Sequence, residues 1–431
     1  EDLYNEANDL KSLTLLFSEY PAYFVNTLRR ILLADIPNIS FDDKRKETVR
    51  IIKNTSQAHN EFITHRLSLV PLCKNTICSL AKNPIISKWD GIKRVYTFQD
   101  PEAIETYTLE EKYTDADGNL KIIYASDFAN SSDIMKPDIF TGDYSILMKL
   151  KSNPSLEEGE ILKIEATPTV GTGNEKVYYS VVGTVLYSFI KEEPDVLDDV
   201  FAKYLEMANK ERKGKDIKLI QYDTPEYDEL RKSYDLLDSH KIYQKNGDGE
   251  ANKIELIIES INSEDPLQIF YDALSILTIK VTDILKFIKF TEEGVINMNY
   301  FRLDDALTLT NQYELIINNE NHSLGNILTK YLAKLTVSNI TGGKYSDNYD
   351  NTLSLFELVS YKMPHPLTNS ISIRFLLNPK LKANVAEIYQ NIGKAALLNQ
   401  QYNLPQTVEN PTIMEKNLCI VAVIKSIAII V

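Results

Sequence analysis

The cysteines and histidines are the residues best suited to hold a metal ion. Cys73 and Cys78 have C-x4-C spacing with no second pair nearby, and His59 and His65 lie six positions apart, which does not place them on one helix face. A closed structural zinc site needs four ligands, commonly from two close pairs. The spacing therefore predicts no metal site, and we expect no cofactor.

The glycines and serines do not form the motifs of nucleotide-binding or hydrolytic enzymes. Gly171-Thr172-Gly173 is followed by Lys176 where a dinucleotide fingerprint requires a third glycine. A Walker-type phosphate loop is absent, no serine stands in a G-x-S-x-G elbow, and no cysteine stands in a nucleophile signature. The sequence predicts no independent catalytic site.

One acidic segment resembles part of a calcium-binding loop. It contains Asp115 and Asp117-Gly118, but Tyr113 and Tyr124 occupy the positions of the first and last ligands. Because Asp-Gly between strand-like flanks is a strong short-range hairpin signal, we interpret the segment as a hairpin turn.

The charge balance argues against a chain that grips nucleic acid. Lys and Arg total 47 against 61 Asp and Glu, so the formal net charge is −14. Phosphate-binding surfaces need clustered basic residues, and we therefore expect no tight direct binding of nucleic acid. An acidic surface fits simple solubility and also fits docking onto basic partner proteins.

The apolar segments and the cysteine count bear on compartment and membrane. Three cysteines are a sparse, odd set that favours a reducing compartment, and the first ten residues are acidic, unlike a leader. The most apolar run, 418–431, contains Lys425 and is shorter than the ~20 residues that a membrane-spanning helix needs. We predict no membrane segment and a buried strand or docking tail.

Two strand–helix pairs are predicted near the beginning of the chain. Residues 10–17 favour a strand, and Pro21 lies in the first turn of a helix that ends before Pro37. A strand at 48–52 precedes a second helix that is predicted to start at Asn54. The expected apolar face of this second helix consists of Ala58, Phe62 and Leu69.

The remaining chain changes character twice. Residues 73–250 contain short β-like runs separated by turns, and within them a polar stretch at about 192–240 favours helix. The pattern beyond predicts a strand at 253–261 and a helix after Pro266. Further elements are predicted as strands at 313–317, 353–361 and 370–377 and helices at 323–336 and 380–400.

Two ten-residue segments, one near each end of the chain, are similar to each other. YFVNTLRRIL (23–32) and SLGNILTKYL (323–332) share Asn26/Asn326, Leu28/Leu328 and Leu32/Leu332, with Arg30/Lys330 conservative. Each segment falls on a predicted helix that follows a strand. We interpret them as parts of two related units whose helices pack together and bury both apolar stripes.

The first of these units resembles the larger alpha-like component of archaeal and other cellular RNA polymerases, and we call it D-like. The resemblance is carried by FVNTLRRILLADIP (24–37), NTSQAHNEFITHRLSLVPL (54–72), IIYASDF (122–128), residues 156–187, and IIESINSEDPLQIFYDALSIL (257–277). The chain lacks the cysteine quartet that many relatives carry in the inserted domain, which puts zinc or an iron–sulfur cluster there in doubt.

The other unit resembles the small alpha-like partner of the same polymerases, and we call it L-like. INNENHSLGNIL (317–328) and YKMPHPL (361–367) carry this similarity, the second through a histidine between two prolines. The two families are paralogues that pair through their helices. In this chain the pairing is therefore expected to be intramolecular, and we expect no obligate homodimer.

The resemblance implies an α+β fold in which two alpha-type dimerisation units form an intramolecular pseudo-heterodimer with a mainly β inserted domain. The expected domains are a D-like dimerisation domain in two pieces, 1–72 and 251–287, the inserted domain 73–250, a connector 288–310, an L-like dimerisation domain 311–404 and a C-terminal tail 405–431.

The fusion resembles polymerases of large DNA viruses that replicate in the cytoplasm. A composition rich in Ile, Asn, Lys and Tyr also suits an AT-rich genome. The expected location is the virion and host cytoplasm if the source is viral, and the nucleus if it is cellular.

The function implied by the resemblance is that of a non-catalytic assembly platform in DNA-directed RNA polymerase. Its expected partners are the two largest catalytic subunits and a small subunit of the platform. The alternative is an independent enzyme or binding protein that shares only the α+β dimerisation fold.

Two sets of residues are expected to carry this function. Arginine guanidinium groups fork onto partner carboxylates or carbonyls, and the residues expected to dock the large subunits are Arg29, Arg30, Glu61, His65 and Arg66. The seam between the two units is expected to consist of Phe24, Leu28, Leu32, Leu324, Gly325, Leu328 and Leu332. The simpler alternatives are solvated charges for the first set and ordinary core for the second. Gly325 is expected to admit another backbone closely.

Overall fold

The structure, a computed structural model, describes residues 12–431 apart from short gaps. The gaps are 44–47, 81, 91–92, 115–118, 131–133, 139–140, 152–158, 216, 248, 262–263, 292, 306–311, 342–351, 366, 394–403 and 406–407.

The described chain contains both helices and strands throughout. The α-helices are α1 (Ala22–Ala34), α2 (Asn60–Ser68), α3 (Lys74–Leu80), α4 (Pro194–Gly214), α5 (Pro225–Leu237), α6 (Pro266–Phe287), α7 (His322–Ala333), α8 (Val337–Thr341), α9 (Val385–Gly393) and α10 (Pro411–Ile430). The strands are β1 (Ser12–Ser18), β2 (Pro37–Ser40), β3 (Val49–Asn54), β4 (Ile85–Trp89), β5 (Arg94–Phe98), β6 (Tyr107–Tyr113), β7 (Leu120–Tyr124), β8 (Ile146–Lys151), β9 (Glu160–Ala166), β10 (Thr169–Thr172), β11 (Val182–Phe189), β12 (Lys253–Ser260), β13 (Phe290–Thr291), β14 (Gly294–Val295), β15 (Phe301–Asp305), β16 (Gln312–Asn318), β17 (Phe356–Lys362) and β18 (Ser370–Leu377).

The chain divides into two compact units, each built from two stretches of sequence. The first compact unit comprises Glu1–Arg29 with Thr184–Glu259, and the second comprises Arg30–Gly183 with Ser260–Val431. The domain boundaries expected from the sequence stay a prediction.

The first compact unit contains a sheet and a pair of helices. The sheet has the order β1-β12-β11, and β1 pairs antiparallel with β12 so that Leu13 lies opposite Ile258. Ile254, Leu256 and Ile258 alternate with less buried residues along β12, as expected for a strand with one buried face. The polar stretch that the sequence assigned to helix forms α4 and α5.

The second compact unit contains several small sheets and the larger part of the core. One sheet has the order β3-β9-β6, and another has the order β15-β16-β18-β17. Helix α7 packs against β17 and β18 of the second of these sheets, and it also contacts α10. The turn predicted around Asp117 lies outside the described residues, and its flanking strands β6 and β7 pair with β9 and β8.

The C-terminal apolar run is a helix, so the buried strand predicted there was wrong, whereas the alternative of a docking tail stays a prediction. The residues of α10 from Asn417 to Ile424 are all buried, and the helix packs against α6, α7 and α9. A helix that is apolar on every side lacks the polar stripe that reveals helical periodicity, and composition alone does not distinguish it from a buried strand. In the part of the chain that the structure describes, no helix is long and apolar enough to span a bilayer.

The second predicted helix begins later than expected, and a different face is buried. Residues 55–59 form a bend with irregular backbone and α2 starts at Asn60, with Ile63 and Leu67 buried. Phe62 and Leu69, which were expected on the apolar face, are instead exposed. The core packs against Ile63 and Leu67, an i, i+4 pair on one face of α2, and leaves the face with Phe62 towards solvent.

Candidate assembly site

A direct hydrogen bond joins the end of α1 to the beginning of α7. Arg30 Nε donates to Ser323 Oγ at 2.6 Å, although the two residues are 293 positions apart. Ser323 is buried, and its backbone N–H donates at 2.9 Å to the side chain of Asn321, which caps the helix. The cap therefore fixes the serine that receives the arginine.

Gly325 makes room on α7 for an aromatic ring. A Cβ added at this position would lie 2.6 Å from Cδ2 of Tyr361 on β17, much closer than van der Waals contact. The three atoms that such a Cβ would meet first all belong to the Tyr361 ring, whereas the sequence predicted the approach of a backbone. Burial raises the pKa of the Tyr361 hydroxyl, and nearby Arg30 partly opposes that shift.

A half-buried lysine on α6 lies between two buried carboxylates from distant parts of the second compact unit. Lys280 Nζ is 3.1 Å from Asp35 Oδ2, just beyond α1, and 3.5 Å from Glu320 Oε2, just before α7. The hydroxyl of Tyr300 donates to the other oxygen of Glu320 at 3.2 Å. We call Asp35, Lys280, Tyr300 and Glu320 the buried polar cluster.

The electrostatics of this cluster follow from sharing one cation between two anions. Burial raises the pKa of Glu320, and Lys280 only partly offsets this shift while Asp35 adds to it. Burial alone would lower the pKa of Lys280, but Glu320 and Asp35 outweigh burial and raise it above its ordinary value. Lys280 is therefore charged at neutral pH. Its single positive charge does not fully offset the cost of burying the charge of Glu320 beside Asp35.

A second ion pair extends the polar contacts along α6. Arg94 on β5 binds Asp283 with two donors, Nε at 2.8 Å from Oδ2 and Nη2 at 2.5 Å from Oδ1. Lys286 Nζ lies 2.6 Å from the same carboxylate. Such forked geometry fixes the direction from which β5 approaches the helix.

Three aromatic rings and a small cleft adjoin the two ion pairs. The ring centroids of Trp89, Phe287 and Tyr300 lie 4.7–5.0 Å from one another. The cleft has a volume of about 150 Å³ and is lined by these ion pairs together with Trp89 and Tyr300. Most of its charged groups already have a partner, so the arrangement joins segments and offers no acid–base pair aimed at a substrate.

The predicted docking residues lie on two helices. Arg29 is half-buried and its Nε donates to Asn26 Oδ1 at 3.0 Å, one turn earlier in α1. Glu61, His65 and Arg66 are all exposed on α2. Arg66 Nη2 donates to the backbone oxygen of Ile146 at 2.6 Å, and its guanidinium lies 5.7 Å from the centroid of the Phe62 ring. Docking by these residues stays a prediction.

The predicted seam residues are mostly buried. Phe24 is half-buried and stacks on Tyr20, with the ring centroids 5.5 Å apart. The fully buried members are Leu28, Leu32, Leu324, Gly325, Leu328 and Leu332. Burial alone does not distinguish a helix–helix seam from ordinary core, and the seam stays a prediction.

The cysteines take part in no disulfide among the described residues. Burial raises the pKa of the Cys78 thiol, which disfavours the thiolate that binds metals. In the described ranges, no group of three or more His, Cys, Asp or Glu side chains is placed to hold a metal ion.

The sequence reasoning missed the buried polar cluster. Lys280 interrupts an apolar helical stretch, and Asp35 and Glu320 border the two helices that resemble each other. A charge inside an apolar stretch is a signal that a buried partner exists. The identity of that partner depends on which distant segments meet.

Comparison with known proteins assigns most of the chain to one family. Residues 14–281 match the family described as the RNA polymerase Rpb3/Rpb11 dimerisation domain. The chain is similar to DNA-directed RNA polymerase subunit Rpo3 of Methanosphaera stadtmanae, with 24% identity over 276 residues, 62% of this chain and 90% of the relative.

Two other relatives match over a shorter part. DNA-directed RNA polymerase subunit Rpo3 of Methanobrevibacter smithii is 29% identical over 177 residues, 40% of this chain and 52% of the relative. Subunit 3 of DNA-directed RNA polymerases II, IV and V of Arabidopsis thaliana is 24% identical over 176 residues, 40% of this chain and 50% of the relative. The chain thus spans about half the length of these two relatives. Because residues 14–281 are more than half of the 431 residues, this chain belongs to the RNA polymerase Rpb3/Rpb11 dimerisation domain family, and the predicted α+β alpha-type fold is confirmed.

Proposed function

We propose that this chain is a non-catalytic assembly subunit of DNA-directed RNA polymerase in which a D-like and an L-like unit are fused and pair within one molecule. The family membership of residues 14–281 supports the polymerase assignment. The three relatives described above are all named as the third subunit of that enzyme.

The observation that carries the intramolecular pairing is the buried polar cluster. Asp35 lies within the first D-like motif, 24–37, and Lys280 follows the last one, 257–277. Glu320 lies within the L-like motif 317–328, and Lys280 contacts both carboxylates. The hydrogen bond from Arg30 to Ser323 joins the same two patterns. Two ordinary subunits would make such contacts across an interface, and here one chain supplies both sides.

The proposed partners are the two largest catalytic subunits and a small subunit of the platform. The exposed surface of α2, with Glu61, His65, Arg66 and the apolar Phe62 and Leu69, supports a docking role. Aromatic and arginine side chains are enriched at protein interfaces. The cellular location of the protein depends on the organism that encodes it, and for a viral polymerase we propose the virion and the host cytoplasm.

Affinity purification of the tagged chain from its native cells or virions tests the proposal. We expect two much larger catalytic chains to co-purify in stoichiometric amounts, and sedimentation of the chain alone to show a monomer. Purification as an active enzyme without large partners would contradict the polymerase assignment. An obligate homodimer would contradict only the intramolecular pairing.

A charge reversal on α2 tests the docking surface separately. Arg66→Glu should reduce recovery of a large subunit, because an arginine at a desolvated interface often contributes about 2 kcal/mol or more to binding. Lys382→Glu reverses an exposed charge outside that helix and serves as the matched control. Equal recovery with both variants, at unchanged melting temperatures, would remove Arg66 from the docking surface.

A further inference from the structure

Helices α4 and α5 of the first compact unit are held together by aromatic rings. The ring of Phe201 lies 5.0 Å from that of Tyr234 and 5.6 Å from that of Tyr227, measured between centroids. Arg231 covers Phe201 at 4.6 Å and binds Asp198 at 2.8 Å. These contacts cross from one helix to the other, so the two helices form a defined antiparallel hairpin.

The connection between the two helices is fixed by side chains of α4. The Asn209 side chain makes two hydrogen bonds to the backbone of Ile220, accepting at 2.8 Å and donating at 3.0 Å. Arg212 Nη1 donates to the backbone oxygen of Lys218 and to Glu226, each at 3.0 Å. Ile220 is buried. The residues from Ile217 to Ile220 are therefore tied to α4 in a defined conformation.

Four large apolar side chains at this end of the hairpin are nevertheless exposed. We call them the hairpin tip, and their exposed fractions are 64% for Met207, 50% for Ile217, 44% for Leu219 and 65% for Tyr222. Single exposed apolar residues are ordinary, but a group of them on one fixed element indicates a surface that another molecule covers. Methionine and tyrosine are both enriched in protein interfaces.

The segment 210–218, which lies between Met207 and Leu219 of the hairpin tip, has a charge opposite to that of the chain. Positions 210–218 contain two acidic residues and five basic ones, a local charge of +3 in a chain of −14, and the basic residues are Lys210, Arg212, Lys213, Lys215 and Lys218. The four lysines are exposed, whereas Arg212 is half-buried and paired with Glu226. Because charges are screened beyond about 8 Å at physiological salt, an arriving partner responds to this local charge.

We propose that the hairpin tip docks an acidic segment of a partner protein that also carries large apolar side chains. The basic rim speeds and orients the encounter, and the exposed apolar group supplies the buried contact. A nucleic-acid backbone would use the lysines but would leave Ile217, Leu219 and Met207 uncovered. The proposal concerns residues other than those proposed to dock the large polymerase subunits, and it does not depend on them.

Fluorescence anisotropy with defined probes on the full-length chain tests this proposal. The main probe is a labelled synthetic peptide of Asp, Glu, Leu and Phe, compared with the same peptide carrying Asn and Gln in place of the acids. A labelled single-stranded oligonucleotide is the third probe.

Two double variants of the hairpin tip and its rim are compared with matched controls. The charge variant is Lys210→Glu with Lys218→Glu, and the apolar variant is Leu219→Ser with Tyr222→Ser. Lys382→Glu and Leu367→Ser change an exposed charge and an exposed leucine elsewhere and are the controls.

We expect the acidic peptide to bind about tenfold more tightly than its neutral analogue at low salt, with both double variants weakening it about tenfold or more. The controls should leave binding unchanged, and all variants should keep the wild-type circular dichroism. Equal binding of the two peptides, or loss on charge reversal but not on apolar substitution, overturns the proposal. Preferential binding of the oligonucleotide through the same residues would also overturn it, in favour of a nucleic-acid site.

Discussion

Each compact unit of this protein contains a cation held between two carboxylates, and the two arrangements differ in their access to water. In the second compact unit the Lys280 side chain is 22% exposed and its partners Asp35 and Glu320 are each 9% exposed. In the first, the Arg231 side chain is 31% exposed, whereas Asp198 and Asp235 are 64% and 50% exposed. The same charge pattern therefore occurs once as a buried cluster and once as a surface network.

Geometry alone therefore does not set the energetic importance of an ion pair. A buried charge that loses its partner is left without compensation by water, whereas an exposed one is rehydrated. The buried polar cluster therefore makes the approach of Asp35, Lys280 and Glu320 specific. The surface network contributes mainly through the stacking of Arg231 on Phe201.

The largest effect is expected for Lys280→Met, which leaves two buried carboxylates without their cation. We expect a loss of about 3–5 kcal/mol in the free energy of unfolding. Trp89 is the only tryptophan of the chain and its ring lies 5.0 Å from that of Tyr300, so its fluorescence during urea unfolding reports on this region. Lys289→Met replaces an exposed lysine just beyond α6 and is the control. Equal unfolding midpoints for the two variants would show that the cluster is dispensable.

Glu320→Gln should have a smaller effect that depends on pH. Burial raises the folded-state pKa of Glu320 above its unfolded value, so the folded state binds this proton more tightly. The stabilisation from this proton is complete below the unfolded pKa and is lost as pH rises through the folded one. Relative to the wild type, the glutamine variant should therefore gain stability with rising pH, by at most about 1.4 kcal/mol per pH unit.

Urea midpoints of both proteins at mildly acidic and mildly alkaline pH measure this difference. A glutamine variant that loses stability relative to the wild type as pH rises would show that Lys280 fully compensates Glu320. Glu357→Gln, which changes an exposed glutamate of β17, should give no pH-dependent difference.

Arg231→Met should cost only about 1 kcal/mol, because exposed ion pairs contribute little and a cation–π contact adds about 0.5–1 kcal/mol. Urea unfolding followed by the helical circular dichroism signal, to which α4 and α5 contribute, measures this loss. A loss as large as that of Lys280→Met would contradict the comparison, since it would give the surface network the weight of the buried one.

The smallest effect is expected from added salt. Salt screens exposed charges much more than buried ones. Raising the ionic strength should therefore reduce the cost of Arg231→Met and leave the cost of Lys280→Met nearly unchanged. Double-mutant cycles with Asp198→Asn and Asp35→Asn at two salt concentrations measure the two couplings. Similar salt sensitivity of both couplings would remove the distinction.

Much of the local structure and the family could be predicted from the sequence. Strand β1, helix α1, the helix after Pro266 and helix α7 follow from apolar spacing and from the positions of prolines. The same part of the chain carries the motifs of the family to which residues 14–281 belong. These signals are local, and the spacing of neighbouring residues suffices to detect them.

Two features were not predictable from local spacing: which face of α2 is buried, and that the C-terminal apolar run forms a helix. Phe62 and Leu69 are spaced to share one helix face, but the core packs against Ile63 and Leu67 on a different face of α2. The run 418–431 is almost entirely apolar and shows no polar stripe of helical period, so its helical state depends on the surrounding α6, α7 and α9 that bury it. In both cases packing selected among conformations that the local sequence left open.

The sequence alone shows that a lysine stands in the apolar stretch of α6 and that acidic residues border α1 and α7. That these residues meet is a property of the folded chain, since Lys280 and Glu320 lie 40 residues apart. The same holds for the hydrogen bond between Arg30 and Ser323, which lie 293 residues apart. Pairs so distant in sequence leave no periodic trace, because the free energy that joins them comes from burial and Coulomb attraction in the folded chain.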